Sequence, residues 1–201
     1  MLTLEDVLID PPPADGVIDW SAVFGNDRPV EVEIGCGKGG FLLRRARSRA
    51  DVNFLGVEWA KKYCRYAADR MVRWGVPNVR LMRADAGVLV SRQLPAGSVA
   101  ALHVYHPDPW PKRRHHKRRL FQPAFVDVAI RALAPGARWA IQTDHGEYFE
   151  VVRELLGGRA ELEAIPFDDP EFGTVEARTE TNFEVKYLGE GRAIYRLAYR
   201  R

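Results

Sequence analysis

Cysteine is nearly missing from this chain. Cys36 and Cys64 are the two among 201 residues, too few for a disulfide framework, and no CxxC or HExxH pattern accompanies them. Both read as small, semi-buried residues of a reducing cytoplasm. No run approaches the ~20 consecutive apolar residues that a membrane span needs. The opening stretch MLTLEDVLIDPPPADG is acidic and has neither a basic leader nor an apolar segment, which argues against secretion. Internal repeats and low-complexity segments are absent too. These absences leave a cytoplasmic protein of one domain's length, residues 1–201, with 1–29 as a lead-in and 30–201 as the core.

Excess charge is also scarce, except in one place. Thirty basic residues against 27 acidic give +3, yet Lys112 to Arg119 alone holds six cations, and the remaining 24 basic residues against 27 acidic leave −3. A locally basic chain of this kind suits contact with a polyanion through one surface. The same run also reads as a solvated charge cluster.

Strand and helix patterns alternate along the chain. VEVEI (30–34) predicts a strand, GCGKGG a turn and FLLRRARSR a helix. NFLGVE (53–58) predicts the next strand, followed by a helix from about Ala60 to Trp74 that Gly75, Pro77 and Asn78 end. NVRLM, VAALHVY (99–105) and ARWAIQT (137–143) continue the strands, with helices over 120–133 and 148–156. The stretch from NFEVKYL to RAIYRLAYR alternates around a GEG turn, which predicts an antiparallel hairpin. Alternation of this sort specifies an α/β fold with a mainly parallel sheet, helices on both faces and ligands at the carboxyl ends of the strands.

Those strand ends carry acids. Glu33 precedes the glycine turn, in which Gly35 and Gly37 let the backbone approach a nucleotide. Glu58 ends the second strand, where a carboxylate can accept both hydroxyls of a ribose. Asp85 follows the third strand and Asp108 the fourth. A carboxylate at Glu33 would repel a pyrophosphate and attract an ammonium or sulfonium, so the pattern favours S-adenosylmethionine over a dinucleotide. Each acid alone also reads as a helix N-cap or a solvated loop residue. Asp108 sits in HPDPWP, where Pro107, Pro109 and Pro111 restrict the backbone and hold a side chain within a narrow tolerance. Trp110 suits stacking on a base or covering the underside of its own loop. Asp144 and Glu147 spell a D-x-x-E capping box for the following helix.

EIGCGKGG, GVE, RADA and above all PDPWPKRRHHKRRL, with TD at 143–144 and TNFE at 181–184, resemble the bacterial tRNA (guanine-N7)-methyltransferases over roughly residues 30–199. The resemblance implies a Rossmann-like class I methyltransferase fold with a seven-stranded sheet and a C-terminal hairpin. It implies transfer of a methyl group from S-adenosylmethionine to N7 of a guanosine in the tRNA variable loop. Glu33, Glu58, Asp85 and Asp108 then match cofactor-contacting acids, with Asp108 also catalytic. Lys112, Asp144, Thr181, Asn182, Phe183 and Glu184 match substrate-contacting positions. The sequence departs from the family at His106, where an aromatic residue, usually Phe, stands, and in its shorter, acidic lead-in.

Guanine N7 carries an in-plane lone pair and no proton, so alignment and stabilisation of a cationic purine are what the protein must supply. Asp108 is assigned an electrostatic or orienting role. Arg113, Arg114, Lys117, Arg118 and Arg119 are assigned to phosphates, and Lys112 to a phosphate or guanine O6. His115 and His116 read as hydrogen-bonding loop residues, and no metal ligand set is expected. The chain is expected to act as a monomer or homodimer. Two other readings of these residues stay open: methylation of another RNA base, and a non-catalytic RNA-binding subunit on a methyltransferase-like fold.

Overall fold

The computed structural model describes residues 1–168 and 189–201. In chain order the elements are α1 (Leu4–Val7), β1 (Leu8–Ile9), α2 (Trp20–Phe24), β2 (Val30–Ile34), α3 (Gly40–Ser48), β3 (Asn53–Val57), α4 (Lys61–Arg73) and β4 (Val79–Met82). There follow α5 (Ala86–Val88), which runs into a π-turn, β5 (Val99–Tyr105), a 3-10 turn (Arg113–Arg118), α6 (Pro123–Ala132), β6 (Leu133–Thr143), α7 (Gly146–Gly157), β7 (Glu163–Ile165) and β8 (Tyr195–Arg200).

The strands form one sheet in the order β1-β4-β3-β2-β5-β6-β8-β7. Pairings from β1 through β6 are parallel, and β8 is antiparallel to both β6 and β7. The described residues therefore hold eight strands, which corrects the expected seven. The lead-in also supplies β1, a two-residue edge strand aligning Leu8 with Leu81 and Ile9 with Met82. Two residues are too few to show a period-2 signal. The antiparallel C-terminal unit is present, with β7 and β6 flanking β8. The NFEVKYL stretch expected as its other arm lies outside the described residues.

Helices cover both faces. On one, α6 and α7 pack over Val32, Leu102 and Val104, with Trp139 fully buried beside Phe121 and Tyr148. On the other, α3 and α4 bury Leu42, Ala46, Met71 and Phe54. The reason α4 forms there is visible in its spacing: Cys64, Ala67, Ala68 and Met71 stand at i, i+3, i+4 and i+7 and all are buried. Gly75, at φ 59°, ends it.

One close approach fixes the helix–sheet distance beneath the later site. A Cβ on Gly56 of β3 would lie 2.3 Å from Leu42 Cδ1 and 2.8 Å from Leu81 Cδ1. Gly56→Ala is therefore predicted to destabilise the fold by about 1–3 kcal/mol, read as a drop of roughly 2–10 °C in thermal melting for a chain of this length. An unchanged melting temperature would show that α3 can move away freely.

Candidate active site

A cleft of about 750 Å³ opens at the carboxyl ends of β2, β3 and β5. The chain leaves β2 for β3 on one side and later returns to β5 on the other, so the cleft sits where the strand order reverses. Its walls include Glu33, Gly35, Gly37, Glu58, Asp108 and Arg118. Gly35 and Gly37 have φ of 74° and 53°, conformations that L side chains rarely adopt. A Cβ on Gly35 would meet nothing within 4 Å. The loop thus turns tightly and keeps its inner surface bare.

Glu58 shapes that loop. One carboxylate oxygen accepts from the Gly37 N–H at 2.9 Å and the other from the Ala60 N–H at 2.8 Å. Each oxygen retains capacity for a further hydrogen bond, and Glu58 lines the cleft. Glu33 is different. It is 4% exposed, and its Oε2 has no hydrogen-bond partner among the described residues. Burial, and then the charge of Glu58, push its carboxyl up to about 8 against a smaller opposing effect of Arg44. A buried carboxylate that lacks a donor suits a ligand that brings a cationic one. Cys36 of the same loop is buried, and burial followed by Glu33 and Glu58 pushes its thiol well up, so it is no thiolate nucleophile.

Asp85 takes the capping role. Its carboxylate accepts from the Val88 N–H at 3.0 Å at the start of α5. Its neighbours Ala84 and Ala86 line the cleft.

The segment after β5 carries stored strain. Among the described residues, His106 and Trp110 are the two non-glycine residues with positive φ, 51° and 41°. They bracket Asp108, which is exposed in the cleft wall. Backbone strain of ~1–3 kcal/mol per residue persists only where surrounding contacts enforce it. Those contacts are present. The His106 N–H donates to Gln142 O at 2.8 Å, the Arg118 guanidinium lies over the Trp110 ring, which also meets the His115 ring edge-on, and Arg119 Nε donates to Pro109 O at 2.8 Å.

This last contact corrects the assignment of Arg119 to phosphate. Arg119 is 5% exposed, donates to Glu147 at 3.1 Å and lies over the Tyr148 ring. It clasps the proline loop to α7 and has no face for RNA. Arg113, Arg114, Lys117 and Arg118 are exposed, as is Lys112 just ahead of the 3-10 turn. His115 accepts from Arg114, and His116 bonds Arg119.

The D-x-x-E capping box is also corrected. His145 caps α7, accepting from the Tyr148 N–H through Nδ1. Glu147 turns instead to Arg119. Asp144 pairs with Arg192 of the C-terminal segment at 2.6 Å and lies 3.6 Å from His106 Nδ1, next to the strained loop but beyond hydrogen-bond distance of it. Thr181, Asn182, Phe183 and Glu184 lie outside the described residues.

One set of polar residues escaped the sequence reading. Tyr105, in the cleft wall, bonds His103 Nδ1 at 2.9 Å; His103 Nε2 meets Glu31 Oε2 at 2.9 Å, and Arg45 of α3 meets Glu31 Oε1 at 3.2 Å. A neutral His103 accepting from Tyr105 and donating to Glu31 satisfies every one of these contacts, and burial does lower the His103 pKa. Burial opposes ionisation of Glu31, but the His103 hydrogen bond and Arg45 outweigh it and hold its carboxyl at about 2. The signal was available: β2 is a central parallel strand, buried on both faces, so a glutamate at 31 needs a partner.

A family model described as putative methyltransferase matches residues 27–197. A tRNA (guanine-N(7)-)-methyltransferase of Geobacter metallireducens is 36% identical over 91% of this chain and 87% of its own length. One of Myxococcus xanthus is 37% identical over 89% of this chain and 86% of its own length. Among solved structures, a SAM-dependent methyltransferase from Aquifex aeolicus superposes with a TM-score of 0.57 at 12% identity, covering 87% of this chain and 84% of that one. An rRNA methylase from Streptococcus thermophilus gives 0.57 at 14% identity, covering 88% of each chain. The acid-lined cleft at the strand-order reversal, the strained PDPWP loop and this extent of sequence identity place the chain in the tRNA (guanine-N(7)-)-methyltransferase family.

Proposed function

We propose that the protein, acting as a single domain in the cytoplasm, methylates N7 of a guanosine in the tRNA variable loop. The observation that carries this reading is that Arg118 of the basic run lines the same cleft as Glu33 and Glu58. A site for a cationic nucleoside and a surface for a polyanion thus share one opening.

S-adenosylmethionine, when bound, supplies an electrophilic methyl group. Glu33 would receive its ammonium, Glu58 its ribose hydroxyls, and the bare backbone at Gly35 and Gly37 would admit it; Asp85 would act by holding the wall that Ala84 and Ala86 line. Guanine N7 would offer its lone pair to form the new N–C bond while the S–C bond to the methyl group breaks and its electron pair passes to sulfur, leaving a neutral thioether; no proton need be transferred, and positive charge would accumulate on the purine. Asp108 counters that charge and orients the base, at a position held by the strained backbone around it. Asp144, beside His106 and paired with Arg192, is assigned to the substrate on the family resemblance. Lys112, Arg113, Arg114, Lys117 and Arg118 meet phosphates, which gives affinity with little sequence information. Residues 181–184 are assigned to the substrate on the family resemblance.

The test is incubation of the protein with radiolabelled S-adenosylmethionine and unmodified tRNA, followed by nucleoside analysis. Label in 7-methylguanosine is expected. Label in another nucleoside would move the acceptor, and no label on several competent tRNAs would refute the reading.

A further inference from the structure

Outside the basic run, a second surface has an unusual make-up. Four exposed aromatic residues fall within sixteen positions: Trp59, Tyr63, Tyr66 and Trp74, between 43% and 66% exposed. Rings of this size are ordinarily placed where they gain contact area. Three of them instead lie under cations, with Arg83 over Trp59, Lys38 over Tyr66 and Arg47 over Trp74 at 5.1–5.9 Å.

The helix joining these rings is itself basic. α4 carries Lys61, Lys62, Arg65, Arg70 and Arg73 against the single acid Asp69. At 100° per residue, Lys62, Tyr66, Arg70 and Arg73 share one outward stripe, with Asp69 beside Lys62 and Tyr63 at its edge, across the helix from the buried Cys64, Ala67, Ala68 and Met71. Arg70 is fixed by donating to Lys38 O at 3.0 Å, so the stripe is anchored to the glycine loop. Its position is informative. Trp59, Tyr63 and Lys38 line the cleft from the β3 side of β2, whereas Asp108 and Arg118 line it from the β5 side.

We propose that the outward stripe of α4 is a second RNA-binding surface, which grips the tRNA on the side of the cleft away from residues 112–118. This rests on the proposed tRNA substrate. Cations at Lys62 and Arg73 meet phosphates, and Tyr66 and Tyr63 offer faces to unstacked bases of the loop that presents the guanosine. A polyanion is favoured over a second copy of the chain, because pairing this stripe with itself would bring like charges together. Two grips flanking the cleft would also limit rotation of the target base, which a single basic patch on one side does not.

The experiment compares tRNA binding at several salt concentrations, S-adenosylmethionine binding by titration, and steady-state methylation. The variants are Lys62→Glu with Arg73→Glu, Tyr66→Ala and Tyr66→Phe; none is itself a cleft-wall residue, and the one contact Tyr66 makes with that wall, its ring under Lys38, is kept in Tyr66→Phe. The double charge reversal is expected to weaken tRNA binding about 10-fold or more and to flatten its salt slope. Tyr66→Ala is expected to raise the tRNA Kd and KM about 5-fold or more with the slope unchanged, and Tyr66→Phe to restore them. Cofactor binding and kcat at saturating tRNA should stay at wild-type values. If the wild-type protein methylates tRNA and these variants bind it as wild type does, the second surface is refuted and the substrate stands. A wild-type protein that neither binds nor methylates tRNA refutes the substrate itself. Loss of dimerisation in the variants with tRNA affinity unchanged would also overturn the proposal, assigning the stripe to a subunit contact.

Discussion

Asp108→Ala is predicted to lower the turnover of methyl transfer about 100-fold or more, the scale expected when a pre-oriented group facing developing charge is removed. Binding of tRNA should change little, since Asp108 is one exposed acid beside five exposed cations of the basic run. Asp108→Asn separates the two parts of the proposed role. It keeps an acceptor oxygen at the same place and removes the charge. Recovery of most of the turnover in Asn would assign orientation of the base as the main contribution; turnover as low as in Ala would assign charge. Single-turnover methylation with labelled cofactor measures the chemical step directly. Turnover like wild type in the Ala variant would remove Asp108 from the reaction altogether.

Glu33 is expected to make cofactor binding dependent on pH and to release a proton. Its carboxyl, ordinarily near 4.5, is pushed up to about 8 by burial and then by Glu58, so the cofactor-free protein holds it protonated at neutral pH. An incoming ammonium favours the ionised form. Binding below pH 8 must therefore expel the proton, and affinity should climb with pH, by at most about 10-fold per unit, before levelling off near 8. Titration calorimetry in two buffers of different ionisation heat counts the released proton; none released at pH 6.5–7.5 would sink the assignment. Stability without cofactor follows the opposite sign. Between 4.5 and 8 the folded chain holds a proton that the unfolded chain has lost, so stability falls as pH rises through that window. Glu33→Gln should flatten this fall in thermal melting while weakening cofactor binding by roughly 10- to 100-fold, the scale of a lost charged hydrogen bond.

Much of this site was readable from the sequence because its acids stand at strand ends that hydrophobic patterning locates well. β2 and β5 occupy the expected residues, and they set Glu33 and Asp108. The misreadings share a physical cause. Asp144 and Arg119 are each adjacent in sequence to a plausible partner or role, yet the partner of one is Arg192 and those of the other are Glu147 and Pro109. Spacing rules describe neighbours along a helix; they do not describe side chains that cross from one loop to another. The two-residue β1 is defined only by its pairing with β4, some seventy residues on. The basic stripe of α4 escaped notice because its cations alternate with buried residues and form no run.

The strand order also has a consequence for how the protein is made. β2, β3 and α3 lie within residues 30–57 and assemble through contacts between near neighbours, with Arg45 reaching Glu31 fourteen residues away. β5 joins β2 from the opposite flank only at residues 99–105, a closure of high sequence separation and hence slower. A growing chain short of that point has the glycine loop and the Glu33 wall, but nothing facing them. On the ribosome, then, the residues of the glycine loop and the Glu33 wall are made first, and those that face them across the cleft arrive only with the segment that also brings Asp108.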